Sequence, residues 1–203
     1  PILSIIKPFD NAFVNRKEIS ISLSEDLAEG ILVLTNVAGS KDENSPHTLI
    51  LSNELKKIGT IEDKIFNEFE WVDGSTYNLE FDGVDFAGNI ADKVLIKNIT
   101  FDITSPVISI DNLFNSVYIN NNTLSYSLSE PLATSTLTIT RTAGADDSNS
   151  PQTISLTASE LAKGSYKDVI LNNNPILNNG TIYAFELSGQ DYATNDAKSI
   201  VVE

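Results

Sequence analysis

Two acidic pentapeptides carry residue types that can bind a cation or close a turn. Residues 85–89 read DFAGN, and residues 191–195 read DYATN. Carboxylate and amide oxygens are the ligands that Ca²⁺ takes, about six to eight at a time and in flexible geometry. The same residues also form a turn without metal, because Asp and Asn side chains hydrogen-bond their own backbone. Both chemistries remain open until the elements that hold the pentapeptides are identified.

The two pentapeptides belong to a tandem repeat that covers essentially the whole chain. SLSEDLA at 22–28 matches SLSEPLA at 127–133, and DGSTYNLEFDGVDFAGN at 73–89 matches NGTIYAFELSGQDYATN at 179–195. A repeat of this kind means that one structural unit is built twice. We predict two domains, residues 1–104 (repeat 1) and 105–203 (repeat 2), joined through FDITSP at 101–106. A domain of about 100 residues has enough core to fold alone without disulfides.

Each repeat shows the alternation of apolar and polar residues that is typical of half-buried β-strands. EISISLS at 18–24 and LSYSLS at 124–129 alternate in this way, as do YNLEFDG at 77–83 and YAFELSG at 183–189. The only helix-like pieces, SNELKK and ASELAKG, are long enough for a single turn each. About seven short strands per repeat predict an all-β fold of two tandem immunoglobulin-like Greek-key β-sandwich domains.

The repeat also predicts which core positions are equivalent. We expect three pairs to occupy matching buried sites, with the tyrosines packed in the core: Leu23 with Leu128, Tyr77 with Tyr183, and Leu79 with Phe185.

The predicted topology gathers the acidic residues at the end where the chain enters each sandwich, because the loops after strands two and six return to that end. In repeat 2 this places Glu130, Asp191 and Asn195 together, and the linker brings Asp102. Three carboxylates repel one another unless a cation offsets the repulsion, so we expect calcium at this joint. Zinc fits poorly, because the chain has one histidine and no cysteine. The alternative is a turn without metal.

Repeat 1 has the equivalent set Glu25, Asp85 and Asn89. It lacks a linker carboxylate in this sequence, so we expect weaker calcium binding there. A second acidic loop contains Asp42 and Glu43 in repeat 1, and Asp146 and Asp147 in repeat 2. We expect it to be an exposed, solvated loop without a ligand.

Three motifs together resemble one family. The SEPLA-type loop, the D-x-A-x-N loop before the last strand and the F-D-x-T-x-P linker are similar to those of the bacterial immunoglobulin-like tandem repeats of large cell-surface adhesins. The resemblance implies an extracellular or secreted, repetitive, stalk-forming protein, often with bound calcium. The expected function is that of a structural stalk or spacer module, a monomer whose partners are neighbouring repeats of the same chain and a ligand on a host or cell surface. Export signals are expected outside these residues.

Composition and motifs argue against several other functions. A net charge of −15 repels nucleic acid and anionic membranes, and no apolar run approaches the roughly 18 residues of a membrane span. We expect no enzyme, since His47 is the only histidine, Gln152 replaces it in repeat 2, and no Gly-rich phosphate loop is present.

Two alternatives to the spacer remain. One is a carbohydrate-binding accessory module of a secreted protein, which needs an exposed aromatic platform. Trp71 is the only tryptophan, and the matching region of repeat 2 carries Leu177, so we expect Trp71 to be buried instead. The other alternative is self-association through exposed strand edges.

Overall fold

β-Strands form two separate units in the computed structural model, which describes residues 1–115, 117–172 and 175–202. The units are Pro1–Ile103 and Thr104–Glu203. Glu203, the predicted end of repeat 2, lies outside the described residues. The one helical element in the described ranges is a 3₁₀ turn, Ala158–Glu160, within the ASELAKG segment. In this part of the chain no helix has the length and apolarity of a membrane span.

Repeat 1 has eight strands among its residues: β1 Leu3–Lys7, β2 Phe13–Val14, β3 Glu18–Leu23, β4 Leu27–Gly39, β5 His47–Ile50, β6 Gly59–Ile65, β7 Ser75–Asp85 and β8 Val94–Phe101. They form a sandwich of a three-stranded sheet, in the order β1-β3-β6, and a five-stranded sheet, in the order β2-β8-β7-β4-β5. All these strand pairs are antiparallel except β2 with β8. Apolar side chains from both sheets form one core.

Repeat 2 has the same sheets in the same order, β13-β10-β9 and β12-β11-β14-β15, around its own core. No counterpart of β2 occurs among its described residues. The strands are β9 Ile108–Ile110, β10 Thr123–Leu128, β11 Thr134–Gly144, β12 Gln152–Ile154, β13 Gly164–Ile170, β14 Thr181–Gln190 and β15 Ile200–Val202. The prediction of an all-β fold of two immunoglobulin-like sandwiches is confirmed.

The predicted core equivalences are confirmed by burial and by register. Leu79 lies opposite Leu34 of β4, and Phe185 lies opposite Ile139 of β11. All six predicted core residues are buried: Leu23, Leu128, Tyr77, Tyr183, Leu79 and Phe185. Period-two alternation explains this result, because β7 buries every second side chain along its whole length.

The two core tyrosines do more than pack, because each hydroxyl donates to a buried carboxylate. Tyr77 Oη lies 3.0 Å from Asp42 Oδ2, and Tyr183 Oη lies 2.8 Å from Asp147 Oδ2. Each hydroxyl also accepts a backbone N–H, from Val72 at 2.9 Å in repeat 1 and from Asn178 in repeat 2. We call this arrangement the tyrosine–aspartate corner. It fixes the loop after β4 or β11 to the start of β7 or β14.

The prediction of a solvated second acidic loop was wrong for Asp42 and Asp147. Asp42 is 6 % exposed and Asp147 is 8 % exposed, whereas Glu43 and Asp146 are exposed as expected. The physical reason is that hydrogen bonds offset the cost of removing a carboxylate from water.

The two buried carboxylates are held by different donors. Burial alone raises the pKa of Asp42. Three hydrogen bonds outweigh this effect and lower the pKa overall: one from the His47 ring, 2.6 Å away, one from the Asn44 backbone N–H and one from the Tyr77 hydroxyl. In repeat 2 the Asn149 amide and the Tyr183 hydroxyl lower the pKa of Asp147. In each repeat a charged acceptor thus ties the loop after β4 or β11 to the start of β7 or β14.

Tyr77→Phe should destabilise repeat 1 by about 1.5–3 kcal/mol, because it removes a hydrogen bond to a buried charged group. Trp71, the only tryptophan, is buried in repeat 1, so its fluorescence during urea unfolding reports that repeat. Tyr183→Phe should leave the Trp71 transition unchanged while shifting the transition of repeat 2 seen by circular dichroism. Tyr118→Phe, at a fully exposed side chain, is the control. A Trp71 transition that stays in place in Tyr77→Phe would contradict this role.

Candidate cation site at the Asp-x-Ala-x-Asn turns

In repeat 1 the DFAGN segment is a closed turn around the carboxylate of Asp85. Asp85 Oδ1 accepts the backbone N–H groups of Ala87 and Asn89, both at 2.8 Å, and Oδ2 accepts the Asn89 side-chain amide at 2.7 Å. Asp85 is buried although the rest of the turn is exposed. The side-chain amide of Asn89 is the main cause of the lowered pKa of Asp85. This is the turn chemistry that the sequence leaves open beside a cation site.

The DYATN segment of repeat 2 repeats the turn around the carboxylate of Asp191. Asp191 Oδ1 accepts the Asn195 backbone N–H and Oδ2 accepts the Asn195 side-chain amide, both at 2.8 Å. Thr194 has φ +70° at the position where Gly88 has φ +87°. A β-branched residue is strained in this left-handed region, whereas glycine is not. Asp191 is buried, at 3 % exposed.

The glutamates of the S-E-x-L-A loops lie at the same end as these turns in each repeat. Leu27, two residues after Glu25, pairs with Asp85 in the β4–β7 ladder. In repeat 2 the backbone N–H of Ala133, three residues after Glu130, donates to the carbonyl of Gln190, the residue before Asp191, at 2.7 Å.

In repeat 2 the corresponding carboxylates come close enough to share an ion. A carboxylate oxygen of Glu130 lies within 4.8 Å of one of Asp191. Two oxygens no farther apart than this can both bind one ion at the Ca²⁺–oxygen distance of roughly 2.4 Å. Glu130 and Asn195 are half-buried, and Asp191 is buried, so the donors are held and not fully solvated. The residues of repeat 2 fit a hard cation.

Asp102 lies at the end of repeat 1, directly after β8. Its backbone N–H donates to the Val14 carbonyl at 2.9 Å, and the next residue, Ile103, donates its N–H to Asp73 Oδ1 at 2.8 Å. The end of repeat 1 is thus anchored to its own loops. The participation of Asp102 with Glu130 and Asp191 stays a prediction.

Sequence reasoning missed the serines that hold the chain where it enters each unit. Ser24 Oγ accepts the N–H of Ile2, and Ser129 Oγ accepts the N–H of Val107, both at 2.8 Å. The signal was available, because both serines directly precede the glutamates and both are repeated. They place the entering strand beside the glutamate loop in each repeat.

Comparisons with known proteins add fold neighbours of low similarity. No family model matches the chain, and no curated protein matches it. Among solved structures, the chicken CNTN1 FN1-FN3 domains match with 15 % identity and TM-score 0.39, covering 96 % of this chain and 66 % of that one. The fibronectin(III)-like modules of Clostridium thermocellum CbhA match with 12 % identity and TM-score 0.42, covering 98 % and 91 %.

A tetra-tandem repeat in the extending region of a large adhesion protein matches with 19 % identity and TM-score 0.35. The match covers 99 % of this chain, which spans about half (47 %) of that structure. At this level of similarity the fold assignment rests on the strand order and register of the chain itself.

Asn89→Ala should raise the pKa of Asp85, because it removes the main cause of the lowering. A carboxylate with a lowered pKa in the folded state adds stability above its unfolded pKa, and that stability is lost as pH falls through the folded pKa. Asn89→Ala should therefore make repeat 1 less stable than the wild type near neutral pH, and the variant should lose less stability than the wild type as the pH falls. Carboxyl ¹³C titration by NMR measures the pKa, and Asn53→Ala, at an exposed loop residue, is the control. An unchanged pKa of Asp85 would show that the Asn89 side chain does not stabilise the ionised carboxylate.

Proposed function

We propose that this chain is a spacer segment of a repetitive extracellular surface protein, and that calcium stiffens the joint between its repeats. The observation that carries the proposal is the double occurrence of one entry-end arrangement: a buried aspartate in a closed turn with a glutamate loop beside it, in Asp85 with Glu25 and in Asp191 with Glu130. Duplication of a whole sandwich with the same register, around two independent cores, supports a structural module.

The proposed ligands at the joint are Asp102, Glu130 and Asp191, with Asn195 or nearby carbonyls assisting. Bound calcium would supply positive charge to carboxylates that otherwise repel one another. The Asn195 bonds to Asp191 hold that carboxylate in one orientation, so it needs little reordering to accept an ion. Asp102 would connect the linker to the loops of repeat 2, and the linker would then lose its freedom.

The equivalent set in repeat 1 is proposed to bind calcium more weakly. Asp85 already accepts three hydrogen bonds from its own turn, and these occupy acceptor sites that a metal ion would use. The two repeats therefore give an internal comparison between two related sets of carboxylates.

The proposal includes no catalytic role. His47 and Asp42, the one histidine–carboxylate pair of the described residues, are both mostly buried beneath the tyrosine–aspartate corner of repeat 1. Their hydrogen bonds close a loop and leave neither group facing a cleft. A structural role accounts for both residues.

The carbohydrate-binding alternative loses its candidate platform. Trp71 is 7 % exposed, and its ring packs against Tyr77 at 5.3 Å and Phe101 at 5.5 Å between centroids. The ring therefore belongs to the core, as expected for a tryptophan without a repeated partner. A spacer remains the function that the geometry supports best.

Calcium calorimetry on the intact chain tests the proposal. We expect a binding heat that Glu130→Gln abolishes or weakens at least about tenfold, because the substitution keeps the shape of the side chain and removes its charge. Glu25→Gln, the matched change in repeat 1, should leave that heat in place. Saturating calcium, at about 100 times its dissociation constant, should stabilise repeat 2 by about 2.7 kcal/mol.

Two results would reject the calcium joint. One is the absence of calcium heat in the wild type, and the other is an equal effect of Glu130→Gln and Glu25→Gln. Folding of each variant is checked by circular dichroism, so a loss of heat is not confused with unfolding.

A further inference from the structure

A bulged edge strand presents the same aspartate in both repeats. Asp63 in β6 and Asp168 in β13 have φ +45° and +50°. Each backbone N–H donates to a serine Oγ on the neighbouring strand, Ser20 at 2.8 Å or Ser125 at 2.9 Å. The serine hydroxyl in turn donates to the aspartate Oδ1. The backbone conformation therefore orients this aspartate carboxylate in the same way in both repeats.

In repeat 1 this carboxylate has its own cation. Lys7 Nζ lies 3.2 Å from Asp63 Oδ1. Lys7 pairs with Ser20 across the β1–β3 ladder, so the strand register places the ammonium at the bulge. The Asp63 carboxylate of repeat 1 is therefore paired with a lysine of the same sandwich.

In repeat 2 that cation is missing from the matching position. The residue equivalent to Lys7 is Asn112, whose side chain binds backbone: Oδ1 accepts the Ser125 N–H at 2.7 Å and Nδ2 donates to the Thr123 carbonyl at 3.1 Å. Within the described ranges, no ion pair of Asp168 is found. The residue before Asn112 also changes, from Ile6 to Asp111, which adds a second carboxylate.

An open cavity of about 370 Å³ occupies this place in repeat 2. Its lining includes Asp111, Asp168, Tyr166 and Lys167. The Tyr166 ring stacks on buried Tyr126 with centroids 4.8 Å apart and planes at 15°. The Tyr166 hydroxyl is fixed by the Ala162 carbonyl at 2.8 Å. One wall of the cavity is thus an aromatic ring whose position is fixed by stacking and by a hydrogen bond.

This aromatic wall is specific to repeat 2. The positions of Tyr126 and Tyr166 are Ile21 and Ile61 in repeat 1. The loss of the lysine, the gain of a carboxylate and the gain of a tyrosine pair all fall at one spot of an otherwise closely repeated sandwich. Lys167 also stands where repeat 1 has Glu62. Together these changes give repeat 2 an open cavity that is lined by two carboxylates, a lysine and an aromatic ring.

We propose that this cavity of repeat 2 binds a primary ammonium group, in the place that Lys7 Nζ takes in repeat 1. Asp168 and Asp111 supply the negative charge, and the Tyr166 ring contacts the carbon atoms next to the ammonium or presents its face to the cation. Lys167, also at the cavity, disfavours a divalent ion. The ammonium can come from a lysine side chain of another polypeptide or from a small amine such as an amino sugar.

Amide NMR titration of the intact chain with N-acetyl-lysine N-methylamide tests the site. We expect saturable shifts at Ser125, Tyr166 and Asp168, and none with the analogue whose side-chain amine is acetylated. Asn112→Lys should abolish the shifts, because it supplies the cation from within as Lys7 does. Asp168→Asn should weaken binding about fivefold, the usual upper worth of one exposed ion pair.

Two further variants make the test specific. Asp63→Asn, the matched change in repeat 1, should leave the affinity unchanged, and Lys167→Ala should raise it by removing a competing ammonium. Glucosamine as a second probe distinguishes the sources: the tighter of the two amines identifies whether a lysine side chain or an amino sugar is the better fit.

The proposal is overturned if neither amine shifts these amides. It is also overturned if the acetylated analogue binds as well as the amine, or if Asn112→Lys, folded by its amide spectrum, still binds it. None of these outcomes depends on calcium, so the spacer proposal stands or falls separately.

Discussion

The long antiparallel pairing of β4 with β7, repeated by β11 with β14, is the interaction on which the rest of each unit depends. One ladder places alternate side chains in the core along its full length. Its two ends carry the two polar features of the fold. The tyrosine–aspartate corner lies where β7 or β14 begins, and the Asp-x-Ala-x-Asn turn follows where that strand ends.

The two repeats share these structural features and differ in the residues on their surfaces. The ladder, the corner and the turn have the same register in both repeats, whereas charged residues on the strand surfaces differ. His47 supports the corner in repeat 1, and its counterpart Gln152 instead exchanges hydrogen bonds with the backbone of Ile176. Lys7 and Asn112 differ in the same way at the bulged edge. The two repeats therefore have the same fold and different surface residues.

Much of the fold follows from the sequence because two strong signals agree, period-two alternation and an internal repeat. Those signals predict the strands and the equivalence of Leu79 and Phe185, whereas for the two pentapeptides the sequence leaves both a turn and a cation site open. They do not predict that Asp42 and Asp147 are buried, because a loop aspartate beside Asn and Ser looks solvated until its distant tyrosine partner is placed. These signals also do not predict the cavity at Asp168. The residues beside that carboxylate depend on how β9 and β13 pair with β10, and neither signal gives this register.

¹⁵N relaxation of the intact chain, in calcium and in chelator, measures whether the proposed calcium joint limits motion between the repeats. We expect the two repeats to tumble with one common correlation time in calcium and with two separate, shorter ones after chelation. Glu130→Gln should behave like the chelated protein at every calcium concentration. Correlation times that do not change on chelation would contradict a calcium-stiffened joint.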